Sequence, residues 1–168
     1  MTAAKTKIKA AAEPTTATAA PAAKPGRKSR RHRSRELTVQ GLYQWRVAGG
    51  TAAAIEAQLR ETKEFARTDE EYFSGLLRGV LANAEKLEEY IQPCIDRSFA
   101  GLSPVEAAIL LLGAHELANC PEIPYRVVIN ESVELAKTFG GTDGHKYVNG
   151  VLDKLAAKLR AVEIKSKI

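Results

Sequence analysis

A helix that carries apolar residues on every side is the feature that most constrains the fold of this chain. Ser103, Pro104 and Glu106 predict its start, because serine caps helices, proline suits the first helical position and glutamate the third. The apolar residues behind this start cover nearly the whole circumference: Ala107, Ala108, Ile109, Leu110, Leu111, Leu112, Ala114 and Leu117. The longest strongly apolar run, residues 105–113, is far shorter than the roughly 20 residues that span a bilayer. Such a helix needs other helices around it, so we expect it to be the buried centre of a bundle.

Helical spacing of apolar residues also covers most of the remaining chain from about Arg30 onward. β-Branched residues nowhere alternate with polar ones over a useful length, so we predict an all-α fold. The glycine pair at 49–50 and Pro93 mark helix ends, and residues 73–91 are predicted to lie in one long helix. Roughly three helices precede the proline and three follow it, which places a subdomain boundary near residues 93–102.

The charge of the chain is segregated. Of 25 basic and 20 acidic residues, ten bases and one acid lie in residues 1–35, which leaves 15 bases and 19 acids in residues 36–168. A confined basic block on an acidic body suits a polyanion, because Lys and Arg that neutralise phosphates release condensed counterions. Nucleic acid is the favoured ligand and an anionic membrane the weaker alternative. We expect residues 1–29, rich in Ala, Pro and Lys, to be a disordered tail, and residues 161–168 to form a basic C-terminal end.

No enzymatic signature is complete. His115-Glu116 begins like the zinc motif of metalloproteases, but Asn119 stands where the second histidine belongs. The 168 residues contain neither a phosphate-binding glycine motif nor the serine hydrolase motif. Cys94 and Cys120 form no CxxC pair, so we expect neither a zinc site nor a secreted disulfide scaffold. The sequence therefore predicts a non-enzymatic cytoplasmic protein without metal or cofactor.

The segment from Arg27 to Arg35, here called the basic segment, concentrates arginine around His32 directly before the first apolar stripe. Arginine matches phosphate oxygens with a planar fork and stacks on bases, so this segment is a candidate electrostatic arm for nucleic acid. The alternative is a solubilising or merely disordered basic tail. A run of charge by itself cannot distinguish RNA from DNA or select a sequence.

Two aromatic residues lie where an unpaired base could stack. At about 100° per residue, Tyr43 lies about 160° around the first helix from Trp45, so Tyr43 faces outward if Trp45 faces the core. The alternative for Tyr43 is packing against a neighbouring helix with its hydroxyl in water. Lys146 and Tyr147 repeat the basic and aromatic pairing at the start of the last helix, where free amide donors favour phosphate. Asp143, one turn earlier, is predicted to cap that helix.

Three blocks of sequence carry a resemblance to a known family. They are RHRSRE followed by VQGLYQW within residues 31–45, IPYRVVINE at residues 123–131, and FG followed by DGHKYVNGVLDK within residues 139–154. The chain resembles the NusB transcription antitermination factors over roughly residues 30–160. The resemblance implies two perpendicular three-helix bundles. It also implies pairing with NusE, a small-subunit ribosomal protein, binding to the boxA segment of ribosomal RNA transcripts, and action with RNA polymerase to suppress termination.

Carried over by position, the resemblance makes eight residues candidates for binding. The candidates for RNA contact are Arg31, His32, Arg33, Arg35, Tyr43, Lys146 and Tyr147. Glu106 becomes a candidate for contact with the protein partner, although its place in a helix cap explains it equally well. Tyr147 departs from the family, which often has phenylalanine there, and the long tail before the basic segment is a second departure.

Three alternatives remain open at this stage. The protein could be an RNA-binding accessory factor in ribosomal RNA maturation or ribosome assembly. It could be a stand-alone relative of the N-terminal domain of RNA cytosine methyltransferases, but such an activity needs a cofactor-binding α/β domain, which we do not expect after Arg160. It could also form a homodimer that hides its RNA site.

Overall fold

The computed structural model describes residues 28–166, and the predicted tail up to residue 27 lies outside the described residues. Residues 28–166 contain helices and turns but no strand, which confirms the all-α prediction. The α-helices are α1 (Arg30–Ala48), α2 (Ala52–Arg60), α3 (Glu70–Ala82), α4 (Ala84–Ile91), α5 (Pro104–Asn119), α6 (Tyr125–Phe139), α7 (Gly144–Leu159) and α8 (Ala161–Ser166). Within the same described residues, three 3₁₀ turns occupy Lys63–Arg67, Gln92–Cys94 and Phe99–Gly101. None of the helices in the described part is both long and apolar enough to cross a bilayer.

Side-chain caps fix the starts of α1, α2, α3 and α5. The hydroxyl of Ser29 accepts from the amide of His32 at 3.0 Å and thereby starts α1 within the basic segment. The hydroxyl of Ser103 accepts from the amide of Glu106 at 3.1 Å, with Pro104 at the first helical position, which confirms the predicted start of α5. These bonds satisfy amide donors that a helix leaves unpaired in its first turn.

Helix α5 is the buried centre of the molecule, as its apolar circumference predicts. Residues 107–117 are all buried, and the helix packs against α1, α3, α4, α6 and α7. Helices α1, α2 and α3 pack on one another, and so do α5, α6 and α7, while α4 contacts members of both groups. The two groups therefore share one continuous core.

The predicted long helix through residues 73–91 is wrong, because it is divided at Asn83 into α3 and α4. Asn83 takes φ −120° and ψ 21°, and its side-chain amide donates to the carbonyl of Gly79 at 2.9 Å. The backbone amide of Asn83 donates to the same carbonyl at 3.2 Å, so Asn83 closes the end of α3 with both its side chain and its backbone. Beyond the break the packing changes, since α3 packs mainly on α1 and α4 mainly on α5.

His115 is a core residue. Its ring is 7% exposed and lies against Gly79 of α3, where an added Cβ would come within 2.5 Å of the ring Cε1. Burial lowers the pKa of His115, so the ring is neutral at pH 7. Asn119 lies beside it, with the side-chain nitrogen 3.3 Å from Nδ1. Within residues 28–166, no group of three or more His, Cys, Asp or Glu side chains could hold a metal ion.

Glu56 joins α2 to α3 through a buried carboxylate. It accepts hydrogen bonds from Nη2 of Arg60 at 2.8 Å, from Nε of Arg78 at 2.7 Å and from the hydroxyl of Ser74 at 2.9 Å. Burial by itself raises the pKa of this group, but the bonds from Arg78, Arg60 and Ser74 outweigh burial and lower the pKa of Glu56 to about 2 from 4.5. The ionised carboxylate therefore stabilises the fold.

The contribution of Glu56 should depend on pH in a defined direction. A carboxyl group whose folded pKa is lowered contributes stability above its unfolded pKa and loses it as the pH falls toward its folded pKa. We expect Glu56→Gln to lower the free energy of unfolding by roughly 2 kcal/mol at neutral pH, since hydrogen bonds to charged groups contribute about that much. Urea unfolding should show the difference from the wild type shrinking as the pH is lowered from about 5 to about 2. A difference that is constant over this range would show that the charge of Glu56 does not contribute.

Candidate nucleic-acid interface

The part of the basic segment that the structure describes is helical from residue 30 onward, so it forms the first turns of α1 and is not an extended arm. Its side chains therefore point in different directions around the helix. The guanidinium of Arg30 donates to the carbonyls of Ala66 at 3.1 Å and Thr68 at 2.7 Å. That of Arg31 lies 4.3 Å from the ring centroid of Tyr72, and its side chain is 52% exposed. Arg31 thus keeps free surface for a phosphate, with Nε 3.8 Å from a carboxylate oxygen of Asp69, whereas Arg30 holds the turn that precedes α3.

Arg35 points into the protein. Its Nε and Nη2 atoms each donate to the carboxylate of Glu116 at 2.9 Å, and Nη2 also donates to the hydroxyl of Tyr72 at 2.9 Å. A third carboxylate oxygen, from Glu131, lies 3.3 Å from Nη1. Burial by itself disfavours the charged guanidinium, but the hydrogen bond and charge of Glu116 raise the pKa of Arg35 above its usual range. The predicted phosphate contact of Arg35 is therefore replaced by an internal role, since the side chain is only 4% exposed.

His32 is also held by acidic side chains. Its Nδ1 atom lies 2.6 Å from a carboxylate oxygen of Glu131, and its Nε2 atom lies 3.5 Å from one of Glu36. Only 12% of its side chain is exposed. Burial raises the pKa of Glu131, but the hydrogen bond from His32 and the charge of Arg35 outweigh burial and lower it. His32 and Arg35 together fasten the start of α1 to α5 and α6, and we assign both a positioning role.

Arg33 differs from its neighbours because no other residue in the described part of the chain forms a hydrogen bond or ion pair with its side chain. It lies on the same helical stripe as Gln40 and Gln44, which follow seven and eleven residues later. Gln40 is thus about 10 Å from Arg33 along the axis of α1. Both glutamines line an open groove of about 630 Å³, and Arg33 lies on the same face of α1, N-terminal to that groove.

Tyr43 faces away from the core, as the angular argument predicts. It is 43% exposed, whereas Trp45 is half-buried against the core. The groove beside Tyr43 is walled by Val47 on the same helix, Val105 of α5 and Phe139 at the end of α6. The ring therefore lies on a partly apolar surface that is open to solvent.

Lys146 and Tyr147 lie in the first turn of α7. The ammonium group of Lys146 is 3.5 Å from a carboxylate oxygen of Asp143, and both side chains are 73% exposed. Asp143 precedes α7 as predicted, but its side chain makes no capping hydrogen bond. Tyr147 is half-buried, and its hydroxyl donates to a carboxylate oxygen of Asp96 at 3.4 Å.

Glu106 connects these surfaces. It follows Val105, which lines the groove beside Tyr43. A Cβ added at Gly144, the first residue of α7, would lie 3.9 Å from a carboxylate oxygen of Glu106. The structure thus brings the groove, Glu106 and the turn that bears Lys146 into one region, although residues 106 and 146 are far apart in the chain.

Sequence reasoning missed the acidic residues that hold the start of α1 and missed Arg97, whose guanidinium lies 4.9 Å from the ring centroid of Tyr147. Glu116 was considered only as part of an incomplete zinc motif, and Arg97 lies in a connection without a recognisable pattern. The nearest available signal was the IPYRVVINE block, which contains Glu131.

The fold and the site together define a class of protein. Its members are all-helical, consist of two groups of helices, and present basic and aromatic side chains beside an acidic one. The chain belongs to the NusB family, whose family model matches residues 32–157. Transcription antitermination protein NusB of Nitrosospira multiformis is 72% identical over 134 residues, which cover 80% of this chain and 85% of that protein. The protein of the same name from Nitrosomonas eutropha is 57% identical over 152 residues, or 88% of this chain and 91% of that one.

Solved structures agree with this assignment. T. maritima NusB has a TM-score of 0.68 with 28% identity, and the match covers 78% of this chain and 93% of that chain. A structure of antitermination factors NusB and NusE in complex with double-stranded RNA matches with a TM-score of 0.68 and 26% identity, covering 74% of this chain and 93% of that chain.

Proposed function

We propose that this member of the NusB family binds boxA-type single-stranded RNA of ribosomal RNA transcripts together with NusE, and acts with RNA polymerase in the cytoplasm to suppress termination. Relatives named as transcription antitermination proteins support the role, and the complex of NusB and NusE with RNA supports the two partners. The observation that carries the proposal is the joined surface that runs from Arg33 along the groove to Glu106 and the first turn of α7.

The exposed and half-buried cations on this surface supply attraction. Arg31, Arg33 and Lys146 are the described candidates whose charged ends can reach a phosphate without breaking a buried contact. The start of α7 adds the positive end of a helix of 16 residues. Such contacts give affinity that falls as salt is added, but they do not select a sequence.

Tyr43 provides the contact that favours unpaired RNA. An exposed ring at the edge of a groove can stack on a base that is splayed out of a single strand, whereas the bases of a duplex are already stacked on each other. His32 and Arg35 act indirectly in this proposal, because their bonds to Glu131 and Glu116 fix the helix that carries Arg33 and Tyr43.

The acidic side chain of Glu106 and the apolar groove beside it suit a basic protein partner. Apolar walls from Val47, Val105 and Phe139 provide surface to bury, and the carboxylate provides an ion pair at its edge. Since this region adjoins Lys146, NusE bound here would lie next to the RNA. Each partner should then raise the affinity of the protein for the other by the same factor.

Cooperative binding tests the proposal. Titrating a boxA-type RNA oligonucleotide into the full chain should give a higher affinity with saturating NusE than without it, by about tenfold or more for a coupling free energy of ordinary size. Glu106→Gln should reduce this coupling, because it removes the charge that would meet the partner, while circular dichroism remains that of the wild type.

Equal RNA affinities with and without NusE would refute the proposal. A matched duplex RNA serves as the comparison ligand, and tighter binding to the duplex would replace single-strand recognition with recognition of helical shape. Sedimentation at several protein concentrations, with and without RNA, would detect a homodimer that competes with RNA.

A further inference from the structure

The connection between α4 and α5 holds an exposed arginine against the first turn of α7. The guanidinium of Arg97 lies 4.9 Å from the ring centroid of Tyr147, and its Nε atom donates to a carboxylate oxygen of Asp96 at 2.9 Å. The same oxygen accepts from the hydroxyl of Tyr147 at 3.4 Å. One carboxylate thus fixes both the cation and the ring.

The backbone that carries Arg97 is itself well anchored. The side-chain amide of Gln92 donates to the carbonyl of Arg97 at 2.8 Å and accepts from the amide of Phe99 at 2.9 Å. Phe99 is buried, and Arg46 of α1 donates to its carbonyl at 3.1 Å. Arg97 is therefore presented from a loop tied to both α1 and α4, so little ordering is needed before it binds a ligand.

Most of the hydrogen-bonding capacity of Arg97 is unused. A guanidinium has five N–H donors, and among the described residues only Asp96 accepts one from Arg97. Its side chain is 48% exposed. Because the guanidinium lies over one face of the Tyr147 ring, a base that approaches that face would contact the guanidinium first.

We propose that Arg97 is an RNA-contact residue whose guanidinium, held over Tyr147 by Asp96, stacks on an unpaired base. Planar guanidinium groups stack on bases as aromatic rings do, and the free N–H groups would reach the adjacent phosphate. The inference rests on the proposed RNA function and changes the role of Tyr147, which becomes the platform under Arg97. Lys146, one residue away from that platform, contributes a second positive charge to the same stretch of RNA.

Arg126 offers a matched control. Its guanidinium lies 5.4 Å from the ring centroid of Tyr125, so it forms the same kind of pair on the surface of α6. The groove there is lined by Asn130, Asn149 and Asp153 and is separate from the groove beside Tyr43. Replacing either arginine by alanine removes one charge and one cation–π contact from the full chain.

The test is an RNA titration at several salt concentrations with the wild type, Arg97→Ala, Arg97→Lys and Arg126→Ala. We expect Arg97→Ala to lower the affinity for a boxA-type oligonucleotide about tenfold, since base stacking on a side chain has an effect of this order. The slope of log affinity against log salt should become shallower by roughly one phosphate contact. Arg97→Lys should restore the slope but not the affinity, because lysine keeps the charge and lacks the plane. Arg126→Ala should behave like the wild type.

A double-mutant cycle checks the stacked arrangement. If Arg97 and Tyr147 act as one stack, Tyr147→Ala should cause little further loss in an Arg97→Ala background, whereas independent contacts would give additive losses. If the wild type binds RNA and the Arg97→Ala and Arg126→Ala variants have equal RNA affinities, the inference is overturned. A loss of NusE binding with unchanged RNA affinity would also overturn it, because Arg97 would then serve the protein partner. A wild type that binds no RNA would overturn the proposed function and this inference together.

Discussion

Arg35→Ala is expected to lower the free energy of unfolding by about 3–5 kcal/mol, the cost of leaving one member of a buried ion pair without its partner. Arg35 is 4% exposed and Glu116 is 1% exposed, so the remaining carboxylate would stay buried with only the hydroxyl of Tyr72 as a close donor. Urea unfolding monitored by circular dichroism measures the change. The helices should still form at low temperature, because the apolar core is untouched.

Two comparisons make this prediction specific. Arg31→Ala removes the same charge from the preceding turn of α1. Because Arg31 is half exposed, we expect the free energy of unfolding to fall by less than about 1 kcal/mol. Arg35→Met combined with Glu116→Leu should be less destabilising than either single replacement, because it leaves no unpaired charge at that position. A loss of similar size for Arg31→Ala and Arg35→Ala would show that burial does not distinguish them.

The double variant Arg33→Ala with Lys146→Ala is expected to weaken RNA binding by about a hundredfold or more at roughly 0.1 M salt, since each charge-assisted hydrogen bond contributes roughly 1.5–3 kcal/mol. Arg33 has no partner among the described residues, and Lys146 has only an exposed contact with Asp143, so neither replacement should disturb the fold. For a single strand, losing two phosphate contacts should reduce the slope of log affinity against log salt by about 1.4.

A control with the same change in net charge is available elsewhere on the surface. Arg126 lies in the first turn of α6 and Lys158 in the last turn of α7, and both are exposed. Arg126→Ala with Lys158→Ala should leave RNA affinity within a few-fold of the wild type, because exposed charges are screened beyond about 10 Å at ordinary salt. If the two double variants weaken binding equally, the effect comes from net charge and the proposed surface is wrong.

A triple replacement of Arg31, Arg33 and Arg35, which the sequence suggests as a test of the basic segment, would combine two different effects. Loss of Arg33 removes a half-buried cation that has no partner among the described residues, whereas loss of Arg35 breaks the bonds to Glu116 and weakens the fold. Weaker RNA binding by that variant could not be assigned to phosphate contact. The structure thus assigns different roles to arginines that lie close together in the sequence.

Features that depend on nearest neighbours were predictable. The start of α5 followed from the side chains at 103, 104 and 106, and the outward position of Tyr43 followed from the turn angle of a helix. The central place of α5 followed from its apolar circumference. The break at Asn83 was not predictable in this way, because apolar residues continue across it at helical spacing and neither glycine nor proline stands there.

The sequence by itself determined the helical class, several helix boundaries and the outward face of α1, because caps and periodicity act over a few residues. Only the tertiary structure decided which basic residues are free to bind. Glu116 and Glu131 lie 81 and 99 residues after the side chains they hold, Arg35 and His32. Helical spacing cannot indicate such partners, since an arginine is buried or exposed according to whether folding brings an acid to it.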